Sequence, residues 1–460
     1  MHCQFSLLAA RLLMALLMAL PVLQTLAQVA APGAARAKKP AITTATVEAE
    51  TRAILDQVSE MRQLKILSPV KSGVKTRAEI EQIVVRNFNE ETTPGELEAA
   101  GKALVVFGLA PRDFQLKDFT IKLLTEQVAG FYDPKTKEFF IADWNELEAQ
   151  KPVIAHELTH ALQDQHFNLR RFEKWPDGDS DREMAIHALI EGDATVLMYD
   201  YLLKPLSRSV AQLPMTISKM AEAGMNMASG DDVKLLKAAP AAIRESLIFP
   251  YVYGADFAQE MLRRKGWAGV SQAYTDLPQS TEQILHFDKY EAREAPVKVQ
   301  LAELPPSLAQ HWKRLLTDIN GEFGYQLILA EYISKPEARK AAAGWGGDQY
   351  ALYEGASDGR LMIAHRSDWD TPEDATEFVQ AYALRTRKRY PEAKPRAAMP
   401  AGQTALTTTD GETFIEQRGK SVLIIEALPE EMFTKIATLR AAFWPPEKPA
   451  VKKAAGSKGR

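Results

Sequence analysis

The residues best suited to chemistry lie in Val153-Ile154-Ala155-His156-Glu157-Leu158-Thr159-His160-Ala161-Leu162. On a helix, residues four apart differ by only ~40° around the axis. His156 and His160 therefore point the same way one turn apart, and two imidazoles so placed can hold one metal ion. Glu157, rotated ~100° from His156, can reach a water on that ion without being a ligand. Ile154, Leu158, Ala161 and Leu162 give the helix an apolar side to bury, and Pro152 suits a first helical turn, where its missing N–H costs nothing. His166 and His187 fall close by in the chain. A five-residue pattern with three set positions also arises by accident, so the surroundings have to carry part of the argument.

Catalytic metal sites of the zinc type use three protein ligands and keep a fourth position for water, so a third ligand is required. His166 stands where the metzincin pattern H-E-x-x-H-x-x-G-x-x-H would place one. That pattern needs Gly to break the helix, and this chain has Gln163 there. In an unbroken helix His166 lies ~120° from His160, off the ligand face. Glu191 is the stronger choice. It sits on a second helical face, Met184, Ala188, Glu191, Ala194, Thr195 and Met198, where a carboxylate is costly unless paired or metal-bound. His187, one turn earlier, is a weaker alternative.

With H-E-x-x-H on one helix and Glu on the next, the chain resembles the gluzincins, thermolysin-like zinc metallopeptidases. More closely, it resembles a family of secreted bacterial metallopeptidases, through Glu126-Gln127-Val128-Ala129-Gly130-Phe131-Tyr132-Asp133, His156 to His166, and Pro278-Gln279-Ser280-Thr281-Glu282-Gln283-Ile284-Leu285-His286. The likeness spans roughly 50–295 and is specific at the His156–His160 helix. It implies a Zn²⁺ ion on His156, His160 and Glu191, with Glu157 as general base in hydrolysis of a peptide or protein substrate. An oxyanion donor is also needed. Tyr251, Tyr253, His286 and Tyr290 are candidates, with His286 preferred as the second catalytic residue. The strand around Ala129 to Tyr132 would bind substrate in extended form. One departure concerns the group that orients a zinc histidine. Thermolysin-like enzymes often carry Glu-x-x-x-Asp; here Thr195 takes the Asp position, and Asp193 is the substitute.

The elements that must position these residues give an α+β fold class. Helical periodicity marks about 77–88, 95–107, 114–128, 152–166, 181–204, 255–265 and 279–290, with a β-hairpin over 128–142 ahead of the metal helix. The expected domains are a mostly helical zincin-like unit over 46–296 and a smaller α+β unit over 310–444, with Pro296, Pro305 and Pro306 at the boundary. Residues 1–27, with an apolar run after Arg11 and small residues at Thr25 and Ala27, read as a signal peptide. Residues 28–45 read as a flexible leader and 445–460 as a disordered basic tail. That predicts a secreted or periplasmic bacterial protein with no stable membrane insertion once the signal is removed.

Composition agrees. The chain has 460 residues, with 56 Lys+Arg against 60 Asp+Glu. This balance offers no electrostatic footprint for nucleic acid. The only cysteine, Cys3, excludes disulfide frameworks and thiolate metal sites. The rival reading is an exported binding or structural protein on a degenerate zincin scaffold, since the C-terminal unit has no catalytic signature. A third restricts the zinc site to one processing event, such as self-cleavage of the leader.

Overall fold

The computed structural model describes residues 43–127, 130–144, 146–172, 178–227 and 234–444. The expected signal peptide, nearly all of the leader, the basic tail and Ala129 lie outside these residues. The architecture is α+β, with a small three-stranded sheet in a helical unit and a seven-stranded sheet in the C-terminal unit. Among the described residues, no helix is long and apolar enough to cross a membrane.

Helix α1 (Thr44–Arg62) starts on Thr43, whose hydroxyl accepts the Thr46 N–H. Strand β1 (Lys71–Lys75) follows. Helices α2 (Arg77–Glu91) and α3 (Pro94–Phe107) each open on a reciprocal Thr–Glu capping box, which satisfies backbone donors that a helix start leaves unpaired. After α4 (Leu116–Gln127) come β2 (Gly130–Asp133) and β3 (Glu138–Ala142), the expected hairpin. Its turn is closed by the Asp133 carboxylate, which accepts the Lys135 N–H at 2.8 Å, and by Lys137 at φ 60°. Strand β1 pairs parallel to β3, a strand that sequence reading missed because Lys71-Ser72-Gly73-Val74-Lys75 lacks an apolar face. The sheet order is β1–β3–β2, so β2 is an edge.

Helices α5 (Leu147–Phe167) and α6 (Ser180–Leu203) form the centre of this unit. Helix α5 begins at Leu147, which places Pro152 in its interior and not in the first turn as expected. Between Ala185 and Asp200 every residue of α6 is buried. Short helices α7 (Ile217–Met227) and α8 (Lys234–Ala238) lead to α9 (Ala241–Ala273). That helix is far longer than the predicted 255–265: it runs through Pro250 and bends at Gly266, where φ is 65°. Helix α9 crosses α6 where two glycines meet. A Cβ on Gly192 would lie 2.1 Å from the Gly254 carbonyl oxygen, and one on Gly254 would lie 2.1 Å from that of Ala188. Only glycine allows backbones this close. The predicted helix over 279–290 is two short ones, α10 (Thr281–Leu285) and α11 (Phe287–Glu291), broken at His286 by its non-helical φ/ψ of −124°/86°.

The C-terminal unit contains α12 (Pro306–Ala309), β4 (Trp312–Asp318), α13 (Gly321–Ala330), α14 (Lys335–Ala342), β5 (Trp345–Gly355), β6 (Leu361–Trp369) and α15 (Pro372–Arg389). The chain then adds β7 (Lys394–Pro395), β8 (Gln403–Thr408), β9 (Gly411–Arg418), β10 (Ser421–Leu428), α16 (Glu430–Phe433) and α17 (Ile436–Phe443). The sheet is antiparallel throughout, in the order β4–β5–β6–β10–β9–β8–β7. Leu301, Leu304 and Leu308 pack on one face together with Leu439 and Phe443.

The other face holds a surprise about domain organisation. Ala99, Ala103, Val106 and Phe107 of α3 belong to the same core as Tyr325, Leu329, Trp369 and Phe378 of the C-terminal unit. The carbonyls at the end of α3 accept from that unit as well. Arg389 donates to Val105 and Val106 at 3.0 and 2.5 Å, Tyr332 donates to Gly108 at 3.1 Å, and Arg385 donates to Phe107. Cations at a helix C-terminus complement its dipole and its unpaired carbonyls.

Candidate metal centre

Because α5 is an unbroken helix through this stretch, His156 and His160 project side by side, as their spacing predicts. Helix α6 lies against α5 and brings Glu191 to them. The Nε2 atoms of His156 and His160 are 3.1 Å apart, and Glu191 Oε2 lies 3.2 and 3.3 Å from them. All three side chains are buried, and their ligand atoms lie within 4.8 Å of one another, a group able to hold a metal ion. The spacing passes a simple test of fit: ligand atoms 2.0–2.1 Å from a tetrahedral ion must be roughly 3.3 Å apart. The third member of this group is Glu191. His166 is turned away, with its Nε2 2.7 Å from the Lys65 carbonyl. His187 sits behind Glu191, its Nε2 3.3 Å from Oε1.

The electrostatics follow from the burial. Desolvation opposes charge on Glu191, yet the imidazoles of His160, His156 and His187 hold its carboxyl well below the usual range. Burial likewise resists a charge on His160, but the neighbouring Glu191 carboxylate outweighs it and pushes the imidazole up to about 9. His156 is lowered, chiefly by burial.

Glu157 lines a pocket together with His160, Glu191, Tyr132, Asn87 and Ile190. Its Oε2 accepts the Tyr132 backbone N–H at 2.9 Å, and burial raises its carboxyl to about 8. The same tyrosine donates its hydroxyl to Asp164 at 2.8 Å, which also pairs with Lys137. The hairpin is thus pinned to α5 at two points on one helix face, and β2 borders the pocket through Phe131, Tyr132, Asp133 and Pro134.

Residues 311–437 match a family model described as "Domain of unknown function (DUF8575)". That segment lies wholly in the C-terminal unit and contains none of the residues around His156. No curated protein and no solved structure matches the chain.

The structure does not bring His286 to this pocket. Its ring stands at the break between α10 and α11, with Nε2 2.9 Å from Glu322 of the C-terminal unit, and the side chain is 43% exposed. The hydrogen bond to Glu322 outweighs burial and raises its pKa. Among the tyrosine candidates, the Tyr290 hydroxyl donates to the Asp276 carbonyl and the Tyr253 hydroxyl accepts from Arg339. Tyr251 alone reaches the cluster, its ring stacked 6.0 Å from that of His156 at 25°. A second carboxylate group, Glu282, Glu294 and Asp370, surrounds the Lys289 ammonium at 2.7–3.0 Å. It is an ion-pair hub between the two units.

Sequence reading missed two contributors. Asn87 of α2 is buried and faces the pocket; its only sequence trait is a polar residue in an amphipathic helix. Gln163 was read as a missing metzincin glycine, whereas its Oε1 lies 2.8 Å from His160 Nδ1. The expected role of Asp193 as a direct partner of a metal histidine is replaced by an indirect one through Gln163, which donates to Asp193 at 2.9 Å.

Proposed function

We propose that the chain is a zinc-dependent hydrolase of peptide bonds, with the ion held by His156, His160 and Glu191. The observation that carries this reading is the 3.1–3.3 Å triangle of two imidazole nitrogens and a carboxylate oxygen, with a second carboxylate, Glu157, in the adjoining pocket. Mixed nitrogen and oxygen donors suit zinc, whereas calcium and magnesium prefer oxygen alone. Zinc bound there supplies a Lewis-acid charge that acidifies water and polarises a carbonyl. Glu157 is placed to take a proton from that water and return it to the leaving amine. The Tyr132 N–H holds one carboxylate oxygen still and leaves the other for proton transfer. As a sheet edge bordering the pocket, β2 offers backbone groups to an extended peptide. Asn87, which lines the pocket, carries both an NH₂ donor group and an acceptor oxygen, the two kinds of partner that a peptide bond requires.

Metal analysis of the purified protein, with peptide cleavage read by mass spectrometry, tests the proposal. Zinc near one equivalent and chelator-sensitive cleavage are expected. Bound zinc with no cleavage would favour the non-catalytic scaffold. Glu191→Ala should lose zinc and His166→Ala should keep it; the reverse pattern would move the third ligand to His166. Asn87→Ala should raise KM on peptides several-fold with a smaller change in kcat, a split measurable by steady-state kinetics.

A further inference from the structure

Behind His160 lies a buried chain of polar side chains that the proposed reaction does not use. Gln163 is fully buried, and its Nε2 donates to the Ile190 carbonyl at 3.1 Å and to Asp193 Oδ2 at 2.9 Å. Both partners can only accept, so this end of the amide must be the NH₂. The carbonyl Oε1 then faces His160 Nδ1 at 2.8 Å. An oxygen there obliges Nδ1 to carry the proton, which leaves the Nε2 lone pair for a metal.

Asp193 needs its own partner, because a carboxylate buried alone is strongly disfavoured. Arg62, the last residue of α1, supplies it. Nε and Nη2 bind the two carboxylate oxygens at 2.6 and 3.0 Å. The guanidinium is fully buried, with Nη1 donating to the Ser271 hydroxyl at 2.9 Å and the group lying 4.8 Å over the Trp267 ring. Tyr274 donates its hydroxyl to Asp193 Oδ2 at 2.9 Å. A two-pronged contact fixes the plane of the carboxylate as well as its position. That orients the acceptor to which Gln163 donates.

We infer that Arg62 is a positioning residue for the metal centre: through Asp193 and Gln163 it holds His160 in the Nδ1-protonated form, with Nε2 aimed at the ion. The inference rests on the metal reading above and extends it to an N-terminal helix remote from the His156–His160 motif. Partners in this outer position typically change metal affinity 10–100-fold.

The test is a double-mutant cycle on the full chain, read as zinc dissociation constants by chelator competition. Gln163→Ala and Arg62→Met should each weaken zinc by about 10-fold or more, and the double variant should be no weaker than Gln163→Ala alone, because Arg62 acts only through Gln163. Arg62→Lys should recover part of the affinity. In zinc-loaded protein, nitrogen-15 spectra should show His160 protonated at Nδ1 in the wild type and a weakened or shifted Nδ1–H signal in Gln163→Ala. Should Arg62→Met fail to fold, Tyr274→Phe, which removes one hydrogen bond to Asp193, takes its place with a smaller but likewise non-additive effect. Additive losses, or wild-type affinity in a folded Arg62 or Tyr274 variant, would overturn the relay. Failure of the wild type to bind zinc would instead remove the metal reading beneath it.

Discussion

Glu157→Gln is expected to abolish peptide cleavage, by about 10²–10⁴-fold in kcat, while zinc stays at full occupancy. The substitution keeps an oxygen for the Tyr132 N–H, 2.9 Å from the native Oε2, and removes the group that moves a proton. The candidate ligand atoms are untouched, because they belong to His156, His160 and Glu191. Cleavage of a mixed peptide pool and metal analysis on the same preparation read the two quantities together. Cleavage at the wild-type rate would end the role of Glu157 as general base. The substitution also has a stability signature in chelated protein. Burial raises the Glu157 carboxyl to about 8, above its ordinary 4.5. A group raised on folding stabilises the fold below its unfolded pKa, and that contribution is lost as pH climbs through the folded value. The wild type should therefore lose stability relative to Glu157→Gln between about pH 5 and 8, measurable by thermal unfolding across that window.

Gly192→Ala should be the most damaging single methyl addition near the site. Its Cβ would lie 2.1 Å from the Gly254 oxygen and 2.2 Å from its carbonyl carbon. Backbone atoms cannot rotate away as a flexible side chain can, so α6 and α9 must separate. Overpacking ordinarily costs about 1–3 kcal/mol; a main-chain clash between two buried helices belongs at or above the top of that range. Thermal unfolding should fall by roughly 5–10 °C. Glu191, the preceding residue, would move with α6, so zinc affinity should fall as well. Gly101→Ala is the matched control: nothing lies within 4 Å of its Cβ position, and in the α3 interior the change should stabilise by about 0.5–1 kcal/mol. Equal melting temperatures for the two variants would show that the crossing tolerates separation.

These expectations divide along a physical line that also runs through the fold. The His156–His160 pair was readable because an α-helix places residues four apart on one face, whatever surrounds it. Glu191 was readable for a related reason: a carboxylate on an otherwise apolar helical face has to be compensated. The hairpin before the metal helix and the α+β texture after residue 310 were equally local. Misreadings gathered where local signals conflict with packing. Pro250 inside α9 suppressed a helix that burial stabilises, and His286 broke one that its periodicity extended.

Local sequence therefore determined which residues could bind a metal and on which helical faces they stand. Only the tertiary structure decided their partners. Arg62 and Asp193 are 131 positions apart, and no periodicity links them. The amphipathic pattern of α3 showed that one face is buried, but not that the C-terminal sheet covers it and Arg385 and Arg389 bind its last carbonyls. Gln163 gave no sign of orienting His160, since a hydrogen bond depends on where its donor and acceptor meet in space. Helical spacing is set by neighbouring peptide units; the relay, the glycine crossing and the pocket wall come from chain segments that meet only after folding.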